Sequence, residues 1–302
     1  RRMVNRWRTS MGLTAVQITY IVLLAITVPT IVYIYTVYTY SGASLSAQPF
    51  GYPDAYQSAV QCADRPGSVA DHQVERLGKN IRYNVTTPNN YRADYPHPLL
   101  MVWAPSGLSD NLSERFTGLT GPATARGYIV VHVASVPLGF RALGELATVP
   151  EQVIKQWCVA ADRVYYTGHS DGGTVSNALA VLPARVIHPV AIAPSAMGMQ
   201  GEDMAAYDCP RPTSVMLMHN KHDRHFPDYG SKVARWWARC NQCGVPAPSP
   251  AHPDCVEYEG CAAGVRTLFC QAEGNHADWP GFSHDVLGFF GTPEGAKKID
   301  NS

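Results

Sequence analysis

The chain is short of charge. Of its 302 residues only 16% are charged, against about 25% in an average soluble protein. Lys and Arg number 24 and Asp and Glu 24, so no net charge remains at neutral pH. Without a basic surplus there is no electrostatic footprint of a nucleic-acid binder, and none is expected as a partner. A chain that is 46% hydrophobic and carries no net charge also lacks the composition of a disordered one. No internal period is visible. The 25 Gly and 23 Pro are scattered rather than clustered, which excludes a repeat array or a low-complexity tract.

The charge deficit has an address. From Gly12 to Tyr40 the sequence GLTAVQITYIVLLAITVPTIVYIYTVYTY contains no charged residue. About 20 apolar residues cross a bilayer, whereas the apolar part of a cleaved signal peptide runs to about 7–15. The stretch is longer than that and predicts a transmembrane helix over 14–37, with its interfacial end reaching 40, after a basic tail at 1–13. A cleaved signal ending near Ser46-Ala47 is the competing reading. Pro29 inside the span is tolerated in lipid. Tyr33, Tyr35, Tyr38 and Tyr40 at one end and Trp7 before the other suit interfacial aromatic belts. Arg1, Arg2, Arg6 and Arg8 precede the span, and the next charge after it is Asp54. The positive-inside rule then expects a single-pass protein with a cytoplasmic N-terminus and residues 41–302 periplasmic or extracellular. The expected partners are the membrane, through residues 14–40, and other subunits of a membrane complex.

Cysteine usage agrees. All eight Cys follow the span: Cys62, Cys158, Cys209, Cys240, Cys243, Cys255, Cys261 and Cys270. Outside the cytoplasm they are disulfide candidates. Their clustering predicts a Cys255–Cys261 bond, with Cys270 bonded to Cys240 or Cys243. A zinc site built on Cys240-x-x-Cys243 with Cys255 and Cys261 is disfavoured by the oxidising compartment.

Residues 41–60 are small and polar with two Pro, and read as a linker to a domain at 61–302. In that domain strand-like and helix-like runs alternate. Strands are expected at Ile81–Val85, Leu99–Trp103, Tyr128–Val133, Arg163–Thr167, Pro189–Ala193, Ser214–His219 and Val265–Cys270. Helices are expected at Glu114–Arg126, Glu151–Val159, Gly172–Leu182, Asp228–Arg239 and His284–Phe290, the last capped by Ser283. Such alternation argues for an α/β fold with a doubly wound, mostly parallel sheet covered by helices on both faces.

The sharpest local feature is Gly168-His169-Ser170-Asp171-Gly172-Gly173, which follows a strand and opens a helix. That is the setting of a nucleophile elbow. Glycines on both sides allow a turn too tight for side chains. The turn lifts the Ser170 hydroxyl above the sheet and turns the Asp171 N–H toward a developing oxyanion. A serine nucleophile needs a base, and the base an orienting acid, here in the chain order Ser, Asp, His. Asp223 and His276 each follow a predicted strand, where open α/β sheets gather their sites. Asp228 is the rival acid, and His225 and His284 are the rival bases.

On these residues the sequence resembles the polyhydroxybutyrate depolymerase and feruloyl esterase family of secreted α/β-hydrolases. The resemblance runs from about Cys62 to Phe290. Its carriers are Arg163-Val164-Tyr165 leading into the Gly168–Gly173 motif, His219…Asp223…Phe226-Pro227, and the stretch from Cys255-Val256-Glu257-Tyr258-Glu259-Gly260-Cys261 through Cys270 to Gly274-Asn275-His276…Trp279-Pro280-Gly281. It implies an α/β-hydrolase fold, no cofactor, Ser170 as nucleophile, Asp223 as acid and His276 as base. One departure stands out. The family's first core strand usually ends in His-Gly, and Ala104-Pro105 stands at that place. Pro105 has no N–H to give, which leaves Ser106 beside Asp171 as the second oxyanion donor.

The spacing His219-x-x-His222-x-x-His225 resembles a ligand run, but no metal is expected, since the three read as a strand end and a loop beside the acid. Asn84-Val85-Thr86 and Asn111-Leu112-Ser113 are glycosylation sequons. Two functions therefore stand side by side. One is a membrane-anchored extracytoplasmic serine esterase. The other is a structural or accessory subunit of a membrane complex that retains a hydrolase fold.

Overall fold

The computed structural model describes residues 49–52, 62, 64–182 and 187–291. The expected span at 14–37 lies outside them. Among the described residues no helix is long and apolar enough to cross a membrane.

Ten strands form one sheet: β1 Gln73–Leu77, β2 Ile81–Thr86, β3 His97–Trp103, β4 Ile129–Val133, β5 Val159–His169, β6 Ala191–Ser195, β7 Ser214–Asn220, β8 Pro246–Pro248, β9 Cys255–Tyr258 and β10 Thr267–Ala272. Their spatial order is β1-β2-β4-β3-β5-β6-β7-β10-β9-β8. The inner strands β4, β3, β5, β6, β7 and β10 run parallel. Antiparallel pairs finish both edges. The helices are α1 Asp110–Thr117, α2 Thr120–Thr124, α3 Phe140–Leu146, α4 Val149–Gln156, α5 Asp171–Val181, α6 Gly201–Met204, α7 Tyr229–Cys240 and α8 Ser283–Phe290.

The inner strands β3, β4 and β6 are buried along their whole length because both faces are covered, and their residues are mostly apolar. The period of two divides them cleanly. Leu99, Met101 and Trp103 of β3, Ile129 and Val131 of β4, and Val215 and Leu217 of β7 face one core, with Val175 and Leu179 of α5 and Trp237 of α7. Leu100 and Val102, Val130, and Met216 and Met218 face the other, with Leu287 and Phe290 of α8.

Three expectations need correction. The helix expected at Glu114–Arg126 is two, α1 and α2, because Gly118 takes a left-handed conformation at φ 62° and caps α1. Ser283 does not cap α8; Phe282 holds that position. The Ser283 hydroxyl instead donates to the Thr117 carbonyl at 2.7 Å and accepts from Trp279 Nε1 at 3.0 Å. Within the stretch read as a linker, residues 49–52 are described and lie against the domain. Phe50 exchanges main-chain hydrogen bonds with the Asn90 side chain at 3.0 and 2.8 Å, and Tyr52 donates to the Asn90 carbonyl at 2.8 Å. Both rings pack with Tyr95 and His97 at the start of β3.

The disulfide pairing differs as well. The bonds are Cys62–Cys158, Cys209–Cys240, Cys243–Cys261 and Cys255–Cys270. Cys255 and Cys261 are near in sequence, but β9 carries the chain away between them. Folding back against β10 sets Cys255 directly opposite Cys270 in the antiparallel register, where side chains share a face. Cys243 meets Cys261 because Gly244 and Glu259 are hydrogen-bonded across the outer edge. One sequon is closed off: Asn84 is fully buried and donates to Asn111 Oδ1 at 3.0 Å.

Candidate active site

The C-terminal ends of β3, β5, β6, β7 and β10 converge on one rim. β5 ends at His169, and the next residue, Ser170, turns the chain into α5 with φ 55° and ψ −117°. A side-chain residue accepts such a conformation only when its surroundings enforce it. Here the Ser170 N–H donates to the Ser195 carbonyl at 2.9 Å, and the Thr174 N–H to the Ser170 carbonyl at 2.9 Å. The flanking glycines are a packing requirement. A Cβ on Gly168 would lie 2.5 Å from the Trp103 carbonyl oxygen, and one on Gly172 would lie 1.9 Å from it.

Ser170 Oγ is 2.9 Å from His276 Nε2. His276 Nδ1 is 2.8 Å from Asp223 Oδ2. The other carboxylate oxygen of Asp223 accepts the His225 and Phe226 N–H groups at 2.8 and 3.0 Å. Burial works to raise the Asp223 carboxyl, but the hydrogen bonds from His276 and from those two amides outweigh it and hold the group below its ordinary range. A carboxylate kept ionised at Nδ1 makes that nitrogen the N–H, which leaves Nε2 free to accept the serine proton. The three residues expected from sequence are thus brought into one hydrogen-bonded chain. The rivals stand aside. Asp228 precedes α7 on an exposed turn, and His284 lies within α8. The exposed His225 has its ring against that of His276, with centroids 4.8 Å apart.

The loop carrying His276 is pinned from β7. Asn220 Nδ2 donates to the carbonyls of Asn275 and Asp278, each at 2.8 Å. The His276 carbonyl accepts from His169 Nε2 at 2.6 Å, while His169 Nδ1 lies 2.9 Å from the Ser195 hydroxyl. Neither Asn220 nor His169 was singled out from sequence. Asn220 is one of many polar strand ends, whereas His169 sits inside the motif and its signal was positional.

At the oxyanion side, Asp171 opens α5, so its N–H has no intrahelical partner. After β3 the amides are spoken for one by one. Ala104 donates to the Val133 carbonyl at 3.1 Å, Gly107 to the Ser135 hydroxyl at 2.9 Å and Leu108 to the Pro105 carbonyl at 3.1 Å. Pro105 has no N–H, and among the described residues Ser106 is the amide left over. Ala104 and Asp171 border a small hollow with Ser135, Val136 and Leu138.

The histidine run does not converge. His219 is buried with Nε2 3.5 Å from Asp223 Oδ2, His222 pairs with Glu273 at 3.1 Å, and His225 faces His276. Among the described residues no group of His, Cys, Asp and Glu is arranged to hold a metal ion.

No known family profile matches the chain. It is 25% identical to feruloyl esterase D of Neurospora crassa over 230 residues, which is 66% of this chain and 74% of that protein. It is 28% identical to feruloyl esterase B of Piromyces equi over 151 residues, 43% of this chain but only 28% of the fungal protein. Among solved structures, the acetyl xylan esterase of Aspergillus awamori superposes with a TM-score of 0.53 at 12% identity, over 78% of this chain and 98% of that one. The fold is the mixed α/β sheet of the α/β-hydrolases, and the proteins this chain is similar to are carboxylic-ester hydrolases.

Proposed function

We propose that the chain is a serine carboxylic-ester hydrolase with Ser170, His276 and Asp223 as its triad. One observation carries the reading: an unbroken hydrogen-bond chain from Ser170 Oγ through His276 to a carboxylate, on a serine held at φ 55° between β5 and α5. In the proposed reaction Ser170 Oγ attacks the ester carbonyl and its proton passes to His276 Nε2. Asp223 holds the imidazole in the required tautomer and stabilises its charged form. The Asp171 and Ser106 amides receive the oxyanion. The alcohol leaves with the proton from His276, and water, activated by the same imidazole, releases the acid. The substrate is a short-chain or aromatic carboxylic ester; the names of the two fungal relatives support an aromatic acyl group.

In this proposal residues 14–37 anchor the enzyme in a membrane with its N-terminus in the cytoplasm and the domain outside. The four disulfides favour such an oxidising compartment. A second reading, an accessory subunit of a membrane complex with little activity, is favoured by Pro105, which removes one amide from the usual oxyanion position.

A fluorophosphonate probe decides between them. The wild type should be acylated at Ser170, and Ser170→Ala and His276→Ala should not react. A folded wild type that resists the probe and leaves mild detergent with other subunits would support the second reading. Added protease should remove the domain from right-side-out vesicles, and protection there would overturn the orientation.

A further inference from the structure

We infer that His169 is a positioning residue, which through its hydrogen bond to the carbonyl oxygen of His276 fixes the main chain from which the base of the triad projects. The inference rests on the serine-hydrolase reading and deepens it. His169 is buried and both ring nitrogens are engaged, Nε2 with the His276 carbonyl at 2.6 Å and Nδ1 with the Ser195 hydroxyl at 2.9 Å. A carbonyl oxygen only accepts, so Nε2 carries the proton and Nδ1 accepts from Ser195. Burial pushes the imidazole down to about 4, which keeps it neutral and in that tautomer near pH 7. The ring is wedged edge-on between Phe116 and Trp279, with centroids 5.2 and 6.2 Å away.

The position of the grip is what gives it a role. Asn220 holds the loop at residues 275 and 278, on either side of the base. Among the described residues only His169 bonds the main chain of His276 itself. His169 is also the last residue of β5 and the one immediately before Ser170. Nucleophile and base are therefore both referenced to a single point at the end of a strand paired on both sides. Ser195, opposite His169 in the sheet register, completes the fixture by donating to Nδ1 and by accepting the Ser170 N–H. A displacement of about 1 Å in a reacting group can cost ~10²-fold in rate, and this bond removes that freedom from the base.

The test uses the full chain and two substitutions. His169→Leu removes the donor at similar volume, and His169→Gln offers an amide N–H to the same carbonyl. With a short-chain nitrophenyl ester and the fluorophosphonate probe, His169→Leu should lower kcat and the labelling rate by ~10²-fold with KM little changed. His169→Gln should recover most of the loss. A folded Leu variant with wild-type kcat and labelling overturns the inference, as does a Gln variant as impaired as Leu. If the Leu variant does not fold, His169→Met, which likewise has no N–H to give the His276 carbonyl, replaces it, and unchanged labelling in that variant overturns the inference equally. A wild type that neither hydrolyses nor labels refutes the enzyme reading alone. Positioning is then read from the deshielded proton NMR signal of His276 Nδ1–H, identified by its loss in His276→Asn. That signal should persist in His169→Gln and broaden through solvent exchange in His169→Leu. A sharp, unshifted signal in His169→Leu would sink the inference.

Discussion

Replacing Gly172 by alanine puts the geometry of the elbow to a quantitative test. In an ordinary helix this change stabilises, by roughly 0.5–1 kcal/mol. Here the new Cβ would lie 1.9 Å from the Trp103 carbonyl oxygen and 2.6 Å from its carbon. Carbon and oxygen atoms approach to about 3.3 Å, so a gap of about 1.4 Å must open. Trp103 ends β3, which is hydrogen-bonded to β4 on one side and β5 on the other, and it cannot retreat. The start of α5 has to yield, carrying Ser170 with it. Forced overpacking of this kind costs about 1–3 kcal/mol, and in a domain of this size each kcal/mol lowers Tm by about 2–4 °C. A nucleophile displaced by about 1 Å should also lose ~10²-fold in probe labelling. Gly144→Ala is the internal control: it lies in α3, where a Cβ meets nothing within 4 Å, and should raise stability by about 0.4–1 kcal/mol. Calorimetry and the labelling rate of the two variants measure both effects. Wild-type Tm and labelling in Gly172→Ala would refute the packing argument outright.

Three further outcomes can be measured. Asp223→Asn should leave the fold intact and reduce turnover by ~10⁴-fold, since an amide favours the wrong imidazole tautomer; an ester-hydrolysis rate within tenfold of wild type would contradict the role given to Asp223. Replacing Cys255 and Cys270 by serine opens a cross-link with a sequence separation of 15 and should cost about 3 kcal/mol, read as a fall in Tm that dithiothreitol no longer deepens at that bond. Burial lowers His97 to about 4, His132 to about 3 and His169 to about 4, so the unfolded chain binds these protons first as the pH falls below about 6.5. Stability should then be full above that pH and drop between about 6.5 and 4 by ~1.4 kcal/mol per pH unit for each group; a flat denaturation midpoint across that window would contradict their burial in neutral form.

The parts of the fold visible in the sequence are those with one physical signature. β3 and β4 could be read because strands buried on both faces form near-continuous apolar runs, broken here only by His97 and His132. The elbow could be read because Gly168 and Gly172 answer a steric demand that only glycine meets. β8 could not: Pro246-Ala247-Pro248 pairs at the outermost edge, where proline is tolerated and pattern is lost. The break at Gly118 was hidden because a glycine also tolerates a helix interior, and only the turn back toward β4 shows that it caps. The disulfides were misread for a topological reason. Neighbourhood in sequence stood in for neighbourhood in space, and the β9–β10 ladder reversed it. Ser170, Asp223 and His276 were found by type and order, while His169 and Asn220 hold the loop through its backbone carbonyls, and a carbonyl leaves no trace in sequence.

The aromatic clamp on residues 49–52 has a mechanical consequence. It lies at the start of β3, and Ser170, Asp223 and His276 follow strands at their far ends. Tension on the chain preceding residue 49 would first load the Phe50–Asn90 hydrogen bonds and the Tyr52 ring. Should they yield, the pull would reach Cys62, bonded to Cys158 directly ahead of β5. Force would then bypass the intervening chain, β1 to β4 included, and enter the sheet at the N-terminal end of its central strand. The domain would bear such a load as a fixed mount, with the elbow at the unloaded end.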